Sequence, residues 1–171
     1  DDYTGDLSEA PEGEIRAQSR TLDNATIVKL SVGPMDNNVY LITDAETGSQ
    51  LLVDAANDAE SILELLDSVD GTLTQLVTTH GHFDHWQALE AVAGATKVPT
   101  AAGAADAPEL PLAPDRLLSD GDTVTVGALT LDVIGLVGHT KGSVALALTE
   151  NSGRVHLITG DSLFPGGVGK T

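Results

Sequence analysis

The sequence predicts an α+β fold, because most of its periodic segments are strands and only two or three are helices. Short apolar segments with turn residues between them follow one another through much of the chain. Segments with apolar residues at helical spacing lie between some of these strands, and such helices cover a face of the sheet. With 171 residues, of which 41% are hydrophobic, the chain is long enough for one domain with its own core.

Acidic residues dominate the charged positions. Asp and Glu number 26 against 8 Lys and Arg, and the net charge is −18. Nucleic acids and anionic membranes are bound through a basic surface, so we expect neither of them as a partner. We expect a small molecule as the substrate. No apolar run approaches the roughly 20 residues that span a bilayer. No signal peptide is visible, so we expect a cytoplasmic protein, although a chain that begins at Asp1 leaves room for a removed leader.

An acidic segment precedes the predicted domain. Residues 1–25 are polar, and we interpret them as a mobile tail with one candidate strand over 14–20. The domain itself is assigned to residues 26–171. Its strands are short apolar segments bounded by turn residues, and they are predicted over 26–32, 38–43, 50–54, 75–79, 123–126, 129–136, 144–148 and 155–159.

Two helices are predicted between these strands. Residues 58–69 carry apolar side chains at helical spacing, and Asn57 with Glu60 is interpreted as a capping box at the start. A second short helix is predicted over 86–94. The Ala- and Pro-rich residues 94–119 are interpreted either as a plain connector or as a loop that borders a site.

Three histidines and one aspartate lie within the six residues that follow a predicted strand. Residues two apart in an extended turn point to the same side, so His80 and His82 can bind one metal ion. Asp84 and His85 point elsewhere and can bind a second ion nearby. The alternative is a polar turn with solvated histidines. Because three of the five histidines in the chain lie here, the metal site is favoured.

Further polar residues follow other predicted strands. Asp54, His139 and Asp161 each lie at a strand end, where catalytic groups are often held on a rigid scaffold. His139 alone could be a surface residue and Asp161 alone could cap a turn, but together with the histidine motif they are predicted ligands. His156 lies five residues before Asp161, and this odd separation places it on the opposite face of a regular strand. We therefore predict that His156 does not bind metal.

The order and spacing of three segments resemble the metallo-β-lactamase-fold hydrolase superfamily. The segments are HGHFDH at 80–85, GHTKGS at 138–143 and GDSLF at 160–164. The resemblance covers about residues 26–171 and implies an αββα sandwich with metals at one edge of its two sheets. The stretch that runs on to Lys170 looks like the glyoxalase II branch, in which a lysine helps to hold the glutathione carboxylate. Lys170 is therefore a candidate for substrate binding, with a solvated tail residue as the alternative.

The resemblance also implies ligands for two zinc ions, with iron or manganese as other candidates. The implied ligands are His80, His82 and His139 for the first ion, and Asp84 and His85 for the second, with Asp161 bridging both. Asp54 looks like the family's acid beneath the site, which supports the ligands. Asp84 would also orient the metal-bound hydroxide, which makes it the candidate catalytic residue.

Such a hydroxide would attack the carbonyl carbon of an activated acyl group. A thioester hydrolase of the hydroxyacylglutathione hydrolase type is the leading expectation, and a lactonase or a β-lactamase uses the same chemistry. A second hypothesis is a mononuclear iron persulfide dioxygenase on the same fold, with iron held by His80, His139 and Asp161. A third is a non-catalytic, truncated domain.

Three features depart from the family pattern. No histidine follows His156, where the family has a further ligand for the second metal, and the usual last part of the domain is absent. We therefore expect a domain that is truncated at the carboxyl end. Trp86 and Gln87 replace a pair of glycines, and Val137 and Lys141 stand where prolines are usual.

Overall fold

The computed structural model describes residues 17–32, 37–79, 86–104, 106–136, 143–158 and 163–165. Within these ranges the chain forms twelve strands, two α-helices and a short 3-10 helix. The elements in chain order are β1 (Ala17–Thr21), β2 (Ala25–Val32), β3 (Asn37–Asp44), β4 (Ser49–Val53), α1 (Ala59–Ser68), β5 (Thr72–Thr78), α2 (Leu89–Thr96), β6 (Thr100–Gly103), the 3-10 helix (Ala107–Glu109), β7 (Arg116–Leu118), β8 (Thr123–Val126), β9 (Leu129–Gly135), β10 (Val144–Thr149), β11 (Val155–Ile158) and β12 (Leu163–Pro165).

The strands form two sheets. The larger sheet has the order β1-β2-β3-β4-β5-β6-β7, in which β1 to β4 pair antiparallel and β4 to β7 pair parallel. The smaller sheet has the order β12-β11-β10-β9-β8 and is antiparallel throughout. Because β4 to β7 are parallel, their carboxyl ends lie at one edge of the larger sheet, and the predicted site residues Asp54 and His80 follow β4 and β5 in sequence.

Apolar side chains between the two sheets form the main core, with Ile42 and Val53 from the larger sheet against Leu131 and Leu146 from the smaller one. A second apolar cluster joins the outer face of the larger sheet to both helices. Strands β2 to β4 are apolar on both faces because both faces are covered. The described residues thus build three layers, helix on sheet on sheet, of the predicted αββα sandwich. No helix in this part of the chain is long and apolar enough to span a membrane.

All eight predicted strands are present, and most begin or end within one residue of the expected bounds. Strand β1 overlaps the candidate strand predicted over 14–20, and because it pairs with β2, the sandwich begins before residue 26, inside the range 1–25 that was assigned to a tail. Residues 1–16 lie outside the described residues. Residues 94–119 are neither a plain connector nor one irregular loop, because β6 and β7 extend the larger sheet within them.

The start of α1 differs from the prediction. Its N-cap is Asp58, which has a left-handed φ of 53° and accepts hydrogen bonds from the Ser61 N–H at 3.2 Å and the Ser61 hydroxyl at 2.7 Å. Asn57 instead accepts the Asp58 N–H at 2.7 Å. The predicted capping box of Asn57 with Glu60 is therefore wrong by one position, although the function of the cap is the same.

Helix α2 begins later and ends later than predicted. Residues 86–88 form turns, and the helix then continues through Gly94 to Thr96. Lys97 ends it with a left-handed φ of 55°, and its N–H donates to the Ala93 carbonyl at 2.8 Å. The prediction took Gly94 as the end of the helix, but the helix continues past this residue.

Candidate metal centre

Asp54 follows β4 and Thr79 follows β5, and the two residues lie side by side at one edge of the sandwich. The Asp54 N–H donates to the Val77 carbonyl at 2.8 Å, which continues the pairing of β4 with β5. Across the gap between the sheets, the N–H of Val144 donates to the carbonyl of Thr79 at 2.8 Å. The segment 80–85 therefore leaves the larger sheet at the point where β10 begins in the smaller one.

Two more predicted site segments leave the smaller sheet at the same edge. The N–H of Leu136 donates to the carbonyl of Ser143 at 2.8 Å, which closes the base of the loop 137–142. Ile158 at the end of β11 pairs with Leu163 of β12 and with Leu146 near the start of β10, so the residues that flank 159–162 also lie at this edge. The bases of all three segments that carry the predicted ligands therefore converge.

The predicted metal ligands and Lys170 lie outside the described residues, and their roles stay predictions. The ligands in question are His80, His82, Asp84, His85, His139 and Asp161. In the part of the chain that the structure describes, no group of three or more His, Asp or Glu side chains could hold a metal ion. The described residues are therefore those that flank the predicted ligand segments.

Asp54 is fully buried beneath this edge. Its φ of 60° is left-handed, a conformation that Asp and Asn tolerate better than most other residues with a side chain. Its carboxylate accepts the N–H of Thr79 at Oδ1 and the hydroxyl of Thr79 at Oδ2, both at 2.7 Å. Such donors compensate the burial of a carboxylate. These bonds to Thr79, the residue that precedes the histidine motif in sequence, fit the supporting role expected of Asp54.

The loop that follows Asp54 also binds the residues after the histidine motif. The N–H groups of Gln87 and Ala88 donate to the carbonyls of Ala56 and Ala55, at 3.0 and 2.9 Å. The side-chain amide of Asn57 donates to the Gln87 Oε1 at 2.8 Å. The glutamine that departs from the family's glycine pair thus contacts the loop. Sequence reasoning did not predict this contact, because it joins positions 30 apart.

His156 has a structural contact of its own. Its ring is buried, and Nε2 lies 3.0 Å from the Glu150 Oε2. Because an ionised carboxylate only accepts, Nε2 carries the proton and donates it to this bond. The hydrogen bond from His156 is the largest cause that holds the pKa of Glu150 below its ordinary value of 4.5. The relation of His156 to Asp161 lies outside the described residues.

A two-sheet sandwich, with the residues that flank its histidine-rich sequence segment at one edge, is the arrangement of metallo-β-lactamase-fold proteins. The Metallo-beta-lactamase superfamily matches residues 32–171, and the chain belongs to this superfamily. Among its relatives, a hydroxyacylglutathione hydrolase of Fuscovulum blasticum is 38% identical over 135 residues, which cover 79% of this chain and 51% of the relative. A hydroxyacylglutathione hydrolase of Rhodospirillum rubrum is 36% identical over 150 residues, which cover 88% and 55%.

The chain spans about half the length of the curated relatives it matches. Among solved structures, the subclass B3 metallo-beta-lactamase BJP-1 of Bradyrhizobium japonicum has a TM-score of 0.65 at 23% identity, over 86% of this chain and 61% of that one. ETHE1 from Myxococcus xanthus has a TM-score of 0.62 at 28% identity, over 71% and 53%. The predicted fold class is confirmed, and the family indicates a metal cofactor.

Proposed function

We propose that this chain is the metal-binding part of a hydrolase that cleaves thioesters of the hydroxyacylglutathione type. The observation that carries the proposal is the hydrogen bond from the Val144 N–H to the Thr79 carbonyl. This bond joins Thr79, which directly precedes the segment 80–85, to Val144, which closely follows the segment 137–142. Such a contact supports a metal site shared by the two segments. Relatives named hydroxyacylglutathione hydrolase, at 36 to 38% identity, support the choice of substrate.

The chemistry of the donor set fits zinc. Imidazole and carboxylate ligands suit this ion, and three protein ligands with one open position are typical of a catalytic zinc site. The proposed ligands are His80, His82 and His139 at one ion, Asp84 and His85 at the other, and Asp161 at both. The bound metals would supply a water of lowered pKa as nucleophile and would polarise the acyl carbonyl.

The remaining work falls to side chains of this chain. Asp84 would orient the nucleophile, and the buried Asp54 would hold the start of the ligand segment in place through Thr79. Lys170 would pair with a carboxylate of the substrate through its ammonium group. A small-molecule substrate, the exclusion of nucleic acid and membrane as partners, and a cytoplasmic location belong to the same proposal.

The test combines metal analysis with a comparison of substrates. Protein purified without chelator is analysed for transition metals and assayed for thiol release from S-lactoylglutathione, beside a lactone and a cephalosporin. We expect zinc and a preference for the thioester. Absence of any transition metal, or a clear preference for the cephalosporin, would contradict the proposal. Iron alone, with no turnover of the three substrates, would favour the mononuclear iron dioxygenase, and bound zinc without turnover would favour a non-catalytic domain.

A further inference from the structure

The residue that precedes the histidine motif is held from two directions. The N–H and the hydroxyl of Thr79 both donate to the carboxylate of Asp54 at 2.7 Å. The Thr79 carbonyl accepts the N–H of Val144 at 2.8 Å. Thr79 is fully buried, and each of its polar groups is used in one of these bonds. The backbone that leads into His80 therefore starts from a fixed position.

These bonds also join three parts of the proposed centre. Asp54 follows β4, Thr79 follows β5, and Val144 begins β10, directly after the segment that contains His139. Two of the bonds join Thr79 to Asp54 on the side of the larger sheet, and the third joins Thr79 to Val144 of the smaller sheet. The residues that flank the segments 80–85 and 137–142, which would share the metal site, thus meet at Thr79.

We propose that Thr79 is a positioning residue for the metal centre, which aligns the segment 80–85 with the loop 137–142. The inference rests on the proposed function, because it assigns Thr79 a role toward ligands of that site. Its hydroxyl fixes the Asp54 carboxylate, and its backbone transmits that position to the next residue. Thr79 itself contacts neither metal nor substrate in this role.

Replacement of the hydroxyl by a methyl group separates this role from packing. Valine has nearly the shape of threonine, so Thr79→Val fills the same space but takes one donor from the buried Asp54 carboxylate. A buried carboxylate that loses a donor moves or draws in water, and the backbone bonded to it shifts with it. Loss of a group that supports metal ligands in this indirect way costs about 10–100-fold in metal affinity.

The experiment measures zinc affinity of metal-free protein by competition with a chromophoric chelator. Thr79→Val is expected to bind its tighter zinc roughly 10–100-fold more weakly, whereas Thr79→Ser keeps the hydroxyl and should stay close to the parent. Thr78→Val is the matched control. Thr78 is 2% exposed, ends β5 directly before Thr79 and takes no part in the bonds to Asp54 and Val144. It should also bind zinc like the parent.

A second readout needs no metal. Hydrogen exchange of the Thr79 and Val144 amides in the metal-free protein should rise in Thr79→Val and stay unchanged in Thr78→Val. A parent protein without zinc binding would refute the proposed function, while the exchange rates would still test the alignment. Parent-like affinity and exchange in Thr79→Val would overturn the inference. An equal loss of affinity in Thr79→Ser would also overturn it, because the loss would then come from packing.

Discussion

The carboxylate of Asp44 accepts the N–H of Ala128 at 2.8 Å, across 84 positions of sequence and across the gap between the two sheets. Asp44 ends β3 in the larger sheet, and Ala128 lies in the turn between β8 and β9 in the smaller one. The Val144 N–H forms the corresponding bond to Thr79 at the opposite edge. Polar contacts therefore join the two sheets at both edges of the sandwich. The contact of Asp44 with Ala128 lies at the edge away from the proposed metal centre.

This remote contact gives a prediction about stability and pH. Burial by itself would raise the pKa of Asp44, but hydrogen bonds from the Ala128 N–H, the Thr47 hydroxyl and two further N–H groups hold it below the ordinary value of 3.8. A carboxylate whose pKa is lower in the folded state stabilises the fold above its unfolded-state pKa. That contribution is lost as the pH falls through the folded-state pKa.

Asp44→Asn is therefore expected to lower the free energy of unfolding at pH 7 by about 1.5–3 kcal/mol, the range for hydrogen bonds to a charged group. The difference from the parent should shrink once the pH falls below about 4. Urea denaturation between pH 7 and pH 3 measures it. Asp67→Asn, at an exposed position of α1, is the control and should match the parent at each pH. A destabilisation by Asp44→Asn that stays constant down to pH 3 would contradict the assignment of the stabilisation to the ionised carboxylate.

A second prediction concerns the histidine outside the proposed ligand set. His156→Ala should leave the metal content unchanged, because its buried ring is bonded to Glu150, whereas His82→Ala should lower it. His156→Ala should still lower the free energy of unfolding by about 1.5–3 kcal/mol through the lost hydrogen bond to a charged group. His156→Gln keeps a side-chain N–H donor and should be less destabilised. An equal loss of metal from His156→Ala and His82→Ala would show that the ligand assignment or the strand register is wrong.

The strands could be predicted because apolar runs and alternation are local properties of the sequence. In β8 and β9 the exposed and buried residues alternate as the pattern requires. Strand β6 was missed because its sequence, Thr-Ala-Ala-Gly, has little intrinsic strand propensity. It becomes a strand through parallel pairing with β5 and β7. The strand conformation of β6 therefore depends on pairing partners that are distant in sequence and leave no local pattern.

The site shows the same division between local and distant information. A cluster of histidines is chemically distinctive, so a metal motif could be predicted without a structure, and this role stays a prediction. Asp54 could be selected as a candidate because it directly follows a strand. Thr79 has no such signal, since its role depends on Asp54, 25 positions earlier, and on Val144 in the other sheet. Only the fold brings these three residues together.

The third prediction concerns the number and strength of the metal sites. The first set of proposed ligands is His80, His82 and His139, which can form a zinc site with water in the fourth position. The second set is Asp84, His85 and Asp161, and no histidine follows His156 in these 171 residues to complete it. Metal affinity depends on the number and geometry of ligands, so two unequal sites are expected.

Calorimetric titration of zinc into the metal-free 171-residue chain should therefore show a tight step and a weaker step. His85→Ala should remove the weaker step and leave the tight one, because it deletes a ligand of the second ion alone. His82→Ala should weaken the tight step, and His156→Ala should preserve both as the control. Two equally tight steps in the parent chain would show that the second site is complete without a further histidine. Loss of the tight step in His85→Ala would show that the ligands are divided between the two ions in another way.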